Sequence, residues 1–171
     1  MIEAPKIGPT LKRIAEHVIA GLFAIMFLAF IVQIVFRYLF NFPIGWTSEL
    51  TVVTWLLLVL WGAAFVVTEA EEIRFDLIYA AVGDRTRRIM AIVTGLSLIG
   101  LYVISFPATV DYIAFMKIQA TAYLKIRFDI LYSIYVVFVA ATVARYAWLV
   151  RGAIRGKAPE GFDPTKASSG V

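Results

Sequence analysis

Apolar residues occur along this chain in four long runs, and polar segments that hold most of the charges separate them. Three of the runs, residues 18–36, 50–68 and 89–110, contain no charged residue, and the fourth, 130–150, is interrupted only by Arg145. A helix needs ~20 predominantly apolar residues to cross a bilayer. The pattern therefore predicts four transmembrane helices, with the long Arg145 side chain reaching to the nearer interface.

These runs predict a single membrane domain made of eight consecutive segments. The segments are a cytoplasmic tail (1–13), a first span (14–40), a second span (46–68), an interfacial segment (71–85), a third span (87–110), a periplasmic connection (111–127), a fourth span (128–150) and a cytoplasmic tail (151–171). The orientation follows from Lys and Arg, which are more frequent in cytoplasmic than in outer connections. Eleven of them lie in the two tails and the second connection, and four lie at the opposite ends of the spans. Both termini are therefore predicted to be cytoplasmic.

The connections differ in character. Residues 41–46 contain Asn, Pro and Gly, which are typical of a tight turn, so the first two spans are predicted to form an antiparallel hairpin. The interfacial segment has Ile73, Leu77 and Ala80 at helical spacing, which favours a short amphipathic surface helix over a polar loop. The third connection is half apolar, so we expect the third helix to run past the membrane or an interfacial segment to pack there.

Composition and charge narrow the class of protein. The 171 residues are 61% hydrophobic and 16% charged, whereas soluble domains are nearer half apolar and a quarter charged. A soluble domain, a disulfide scaffold and a disordered chain are therefore excluded. The net charge of +4 does not indicate a nucleic-acid partner, because the basic residues lie mostly beside the apolar runs.

The chain has few residues that could catalyse a reaction or bind a metal. The chain has no cysteine and a single histidine, His17, so it lacks the ligands of a zinc, di-iron or bis-histidine haem site. We read His17 as an interfacial polar residue. No phosphate-binding loop or hydrolase motif is present. The prediction is a chain without catalytic residues, metal or cofactor, in contact with membrane lipid.

The second span begins with polar residues that need an explanation. Thr47 or Ser48 is predicted to cap its helix, with Glu49 in the first turn, where a carboxylate suits the helix dipole. Glu49 either pairs with Arg37 across the turn or is solvated separately, and exposed pairs contribute only ~0–1 kcal/mol. Gly62 would allow another helix to approach closely, as would the small-residue pairs Ala91/Gly95 and Ala140/Ala144 on the third and fourth spans.

An ordered set of motifs from Arg37 onward resembles a known family. The set consists of Arg37-Tyr38-Leu39-Phe40-Asn41, Trp46-Thr47-Ser48-Glu49-Leu50, Trp55, Gly62-Ala63-Ala64 and Glu72-Ile73-Arg74-Phe75-Asp76-Leu77. Their order and spacing are similar to those of the small membrane subunit of tripartite ATP-independent periplasmic (TRAP) transporters, the DctQ-like family. One position departs from the family pattern, because Glu72 stands where the family usually has histidine.

The resemblance implies a role in a three-part uptake system of the bacterial inner membrane. In such a system a periplasmic protein captures an organic acid and a large elevator-type subunit carries it inward with sodium. The small subunit packs as a scaffold against the stationary part of the large one. Four residues are assigned to that interface, namely Trp46, Glu49, Trp55 and Gly62. Two others, Arg37 and Asp76, are assigned to hold the hairpin and the cytoplasmic elbow.

Two other functions remain open from the residues alone. One is a self-contained proton-coupled transporter that uses Glu49 or Glu69, since an ionisable residue in a span is functional by default. The other is a membrane enzyme or quinone-binding subunit. Liposome transport by the isolated chain would identify the first, and spectra of bound haem or quinone the second.

Overall fold

A computed structural model describes residues 9–42, 44–67 and 82–156 of the chain. These residues form four helices, α1 (Pro9–Tyr38), α2 (Gly45–Phe65), α3 (Asp84–Phe115) and α4 (Phe128–Ile154), with a short 3-10 helix at Met116–Ile118. All four helices are long and apolar enough to cross a membrane. The predicted all-α class with four membrane-spanning helices is therefore confirmed. The cytoplasmic position of both termini stays a prediction.

Some predictions concern residues that the structure does not describe. The surface helix predicted for the interfacial segment and the acidic residues Glu69, Glu72 and Asp76 lie outside the described residues, as does most of the carboxyl tail. The described end of that segment, from Asp84 onward, already belongs to α3.

The contacts divide the chain into two compact units. Among the described residues, the α1–α2 unit contains 9–42, 44–67 and 104–142, and the α3–α4 unit contains 82–103 and 143–156. Helices α3 and α4 each contribute residues to both units. The assignment of one membrane domain stays a prediction.

In the α1–α2 unit, the first two helices form the expected antiparallel hairpin. The amide of Gln33 in α1 donates to the hydroxyl of Ser48 in α2 at 2.7 Å. Toward the other end of the pair, a Cβ on Gly62 would stand 3.3 Å from Ile19 Cδ1. The connecting turn includes Asn41 with φ of 50°, a left-handed conformation that asparagine tolerates better than most residues.

The beginning of α2 differs from the prediction. Ile44 is the N-cap residue and makes no side-chain capping bond, so neither Thr47 nor Ser48 is the cap. Instead the buried Thr47 hydroxyl donates back to the Ile44 carbonyl at 3.0 Å. The helix begins at Gly45, which places Glu49 in the second turn rather than the first. The carboxylate is therefore one turn away from the unpaired N–H groups that it was expected to complement.

In the α3–α4 unit, small residues bring the two helices together. Ala91 of α3 packs with Leu149 and Ala153 of α4 in a buried cluster. One turn along α3, a Cβ on Gly95 would come within 2.5 Å of Val150 Cγ2. This close approach is what the Ala91/Gly95 pair predicts. The other predicted pair, Ala140/Ala144, is exposed and makes no comparable contact surface.

A polar contact joins the same two helices near the beginning of α3. The Nε of Arg88 donates to the carbonyl oxygen of Ala153 at 3.1 Å. The last four carbonyls of a helix have no partner within it. The Ala153 carbonyl accepts the Gly156 N–H at 3.1 Å, and Arg88 gives it a second donor. Arg88 therefore stabilises the end of α4 as well as its packing on α3.

Candidate functional site: a carboxylate that holds a distant turn

The connection between α3 and α4 folds into a compact turn, residues 119–128, which we call the 119–128 turn. Helix α3 runs past its predicted end to Phe115, as the apolar character of this connection suggested. The turn is closed by two backbone bonds, from Thr121 N–H to the Ile126 carbonyl at 2.9 Å and from Phe128 N–H to the Gln119 carbonyl at 3.1 Å. Lys125 adopts a φ of 55° at its apex.

The carboxylate of Glu49 holds this turn against α2. Its Oε2 accepts the backbone N–H of Tyr123 at 2.7 Å, and its Oε1 accepts the N–H of Leu124 at 3.3 Å. Two successive N–H groups of a turn form a concave site that favours an anion. Bonds in which the acceptor is ionised are about twice as strong as neutral ones. Glu49 therefore has a structural anchor role in this part of the molecule.

Gly45 lies one helical turn before Glu49 and contacts the same residue of the turn. A Cβ at Gly45 would overlap the ring and hydroxyl of Tyr123. The absence of a side chain at this position leaves the space that the ring occupies. Gly45 thus leaves room for the ring of Tyr123, and Glu49 binds the backbone N–H of the same residue.

An apolar groove of about 540 Å³ lies beside this contact. Its walls are formed by α2 on one side and by the first turns of α4 on the other, and include Val52, Val53, Leu56, Phe128, Leu131 and Tyr132. Glu49 and Thr121 supply its polar edge. The arrangement is suited to packing and holds no obvious catalytic pair.

The structure describes five of the six residues that the sequence assigned to function. Trp46 and Trp55 are both exposed, at 42% and 56%, but nine residues at ~100° each place them half a turn apart on α2. Gly62 is buried beside Ile19 of α1, and its assignment to a partner interface stays a prediction. Asp76 lies outside the described residues.

The ion pair considered between Arg37 and Glu49 is not formed. Across residues 9–42, 44–67 and 82–156, the ion pairs join other residues, and Arg37 is exposed. The Glu49 carboxylate instead accepts hydrogen bonds from the backbone of the 119–128 turn, more than 70 residues along the chain. The connecting turn of the hairpin is instead shaped by backbone bonds, such as that from Phe42 N–H to the Phe36 carbonyl at 3.0 Å.

Comparison with known protein families decides the class. The family model described as "Tripartite ATP-independent periplasmic transporters, DctQ component" matches residues 26–156, well over half of the chain. The chain belongs to the DctQ family. It is therefore a multi-pass membrane protein and the small subunit of a TRAP transporter. Comparison with curated proteins gave no match.

The sequence of this DctQ chain does not single out Gly45 or Tyr123 as functional residues. It places Gly45 in a tight turn and Tyr123 among the apolar residues of a long connection. One signal was available, because Gly45 and Glu49 are four residues apart and so lie on one face of α2. What they face depends on how the third connection folds, and no local pattern gives that.

The described part of this DctQ chain offers little for metal chemistry. Among residues 9–42, 44–67 and 82–156, no three His, Cys, Asp or Glu side chains converge as metal ligands. His17 is exposed, and its Nδ1 lies 2.6 Å from the Arg13 carbonyl in the preceding helical turn.

Proposed function

We propose that this chain is the scaffold subunit of its transporter and takes no direct part in carrying substrate. It would pack against the stationary part of a large elevator-type subunit in the bacterial inner membrane. That subunit would move an organic acid inward with sodium after a periplasmic binding protein delivers it. The match to the DctQ family is the observation that carries this proposal.

An exposed stripe on α2 is the proposed contact with the large subunit. Val52, Trp55 and Val59 are spaced three and four residues apart, so they lie on one face of the helix. Their exposed fractions are 64%, 56% and 44%. A large aromatic ring among aliphatic neighbours supplies the contact area that anchors an interface. We call these three residues the α2 stripe.

Trp46 and Glu49 take different roles under this proposal. Trp46 lies half a turn from the α2 stripe and suits an anchor at the level of the lipid headgroups, where tryptophan is enriched. Glu49 acts indirectly, because it fixes the 119–128 turn that the periplasmic protein would meet. Exposed Tyr123 and Lys125 in that turn are the side chains offered to such a partner.

Co-purification tests the scaffold proposal. The chain, tagged at its carboxyl end, is extracted from native membranes in mild detergent, and a large multi-span protein is expected to co-purify in stoichiometric amount. Trp55→Ala should reduce its recovery. Phe23→Ala is the matched control, because Phe23 on α1 is also 56% exposed. Equal loss in both variants would exclude a specific role for the α2 stripe.

Transport by the isolated chain separates the scaffold from a self-contained carrier. Purified chain in liposomes should show no uptake of organic acids under a sodium or proton gradient, whereas the co-purified complex with a binding protein should show it. If the chain alone takes up organic acid, and Glu49→Gln abolishes that uptake, the scaffold proposal is overturned. That result would favour a proton-coupled carrier instead.

A further inference from the structure

A second groove lies in the α3–α4 unit, far along the chain from the Glu49 contact. Its volume is about 360 Å³. The residues that line it are Leu96 and Ile99 of α3, Ala147, Val150, Arg151 and Ile154 of α4, and Arg155 just beyond. We propose that this groove binds one anionic phospholipid, with an acyl chain along the apolar walls and the phosphate at Arg151 and Arg155.

The two arginines are placed to act together. They are four residues apart, so they lie on one side of the end of α4, and both are exposed. In the part of the chain that the structure describes, no carboxylate pairs with either guanidinium. Guanidinium groups bind phosphate oxygens in a bidentate manner, so two of them can hold a single phosphodiester.

The described residues of this unit carry mostly positive charge. Among residues 82–103 and 143–156 there are six arginines, and the single acidic residue is Asp84. Asp84 lies 3.6 Å from Arg87. Arg88 donates to the end of α4, which leaves Arg151 and Arg155 as the cations that border the groove. An anion at this end would meet a favourable field.

The combination of apolar walls and cations matches a lipid better than a protein helix. A membrane helix in the groove would cover Leu96, Val150 and Ile154 but would leave two guanidinium groups without a counter-ion unless it carried acidic residues at that depth. A phospholipid has both parts in the required order. Basic pockets between transmembrane helices on the cytoplasmic side are typical sites for anionic headgroups.

Native mass spectrometry of the chain, co-purified with whatever large subunit accompanies it, tests the site. The probes are phosphatidylglycerol and phosphatidylcholine at equal amounts in mixed micelles. We expect phosphatidylglycerol to be retained preferentially and the double variant Arg151→Gln/Arg155→Gln to lose on the order of tenfold in its retention. Glycerol phosphate, which has the headgroup charge but no acyl chain, should not displace the lipid.

The matched control is Arg13→Gln/Arg85→Gln. It removes the same charge from exposed side chains outside the groove and should keep phosphatidylglycerol bound. Equal retention of both lipids by the unaltered chain, or equal loss in both double variants, would overturn the proposal, since general electrostatic attraction would then explain the binding.

Filling the groove gives a test that leaves both arginines in place. Ala147 lines the groove and is exposed, so Ala147→Trp should lower the retention of phosphatidylglycerol while the complex stays intact. A photo-crosslinking residue at position 147 should label lipid. If it labels the large subunit instead, the groove is a protein interface and the proposal fails. Either result leaves the scaffold function untouched, because the site is assigned to this chain alone.

Discussion

The carboxylate of Glu49 accepts the backbone N–H of Tyr123 at 2.7 Å, across 74 residues of chain. The contact joins the second turn of α2 to the connection between α3 and α4. The shape of the 119–128 turn therefore depends on a residue of the α1–α2 hairpin. Four predictions follow from this contact and from the packing of α3 on α4.

Replacing Glu49 with glutamine should loosen the 119–128 turn. A glutamine side chain offers one uncharged carbonyl oxygen, and its NH2 group would face one of the backbone N–H donors, so the arrangement with one oxygen for each N–H is lost. Hydrogen exchange at the amides of Tyr123 and Leu124 in micelles should become severalfold faster. Glu16→Gln is the control, since that carboxylate pairs only with Lys12 on the surface of α1. Unchanged exchange at both amides in Glu49→Gln would contradict the anchor role.

Gly45→Ala should displace the Tyr123 ring. The added methyl group would occupy the place of the ring, which must rotate away. A thermal-unfolding double-mutant cycle with Tyr123→Ala should give a coupling energy of about 0.5–1 kcal/mol. Gly21→Ala serves as the control, because nothing lies within 4 Å of a Cβ there. Additive effects at Gly45 and Tyr123 would show that the two residues do not interact.

Gly95→Ala should destabilise the packing of α3 on α4. Its methyl group would press on the side chain of Val150, and overpacking costs about 1–3 kcal/mol. The double variant Gly95→Ala/Val150→Ala should recover part of that loss in a denaturant titration. Gly100→Ala should have little effect, since its Cβ would meet open space. If the double variant recovers no stability, the contact between position 95 and Val150 is not the cause of the loss.

Arg88→Met should fray the last turn of α4. Methionine keeps much of the apolar stem but removes one of the two donors to the Ala153 carbonyl and leaves only the Gly156 N–H, a loss of about 1 kcal/mol. Amide exchange over residues 151–156 should increase. Arg85→Met removes an exposed charge from the same end of α3 and should not change it. If both variants fray the turn alike, charge rather than the hydrogen bond is responsible.

The sequence was sufficient for the features that depend on local pattern. Runs of apolar residues predict the four spans, because each helix must satisfy its own backbone within the bilayer. The small residues Ala91 and Gly95 indicated a close helix contact for the same local reason. Helix α3 ends at Phe115, beyond the predicted span of 87–110, because largely apolar residues continue the helix.

The features that were missed depend on residues far apart in the chain. The partners of Glu49 could not be predicted from its neighbours, because the two alternatives considered, a pair with Arg37 or separate solvation, both leave out the backbone of the 119–128 turn. The prediction for the cap of α2 was wrong, because Thr47 bonds back to Ile44 instead of forward into the helix. In each case a polar side chain had several partners within reach, and tertiary packing selected among them.

The bond from Glu49 to the 119–128 turn also bears on the order in which the protein is made. When α2 leaves the ribosome, the N–H groups that its carboxylate will bind have not been synthesised. The first hairpin must therefore wait in the membrane with this acid still hydrated until the connection after α3 arrives. Closure of this contact can only be a late event of biogenesis, and a chain truncated after α2 would never complete it.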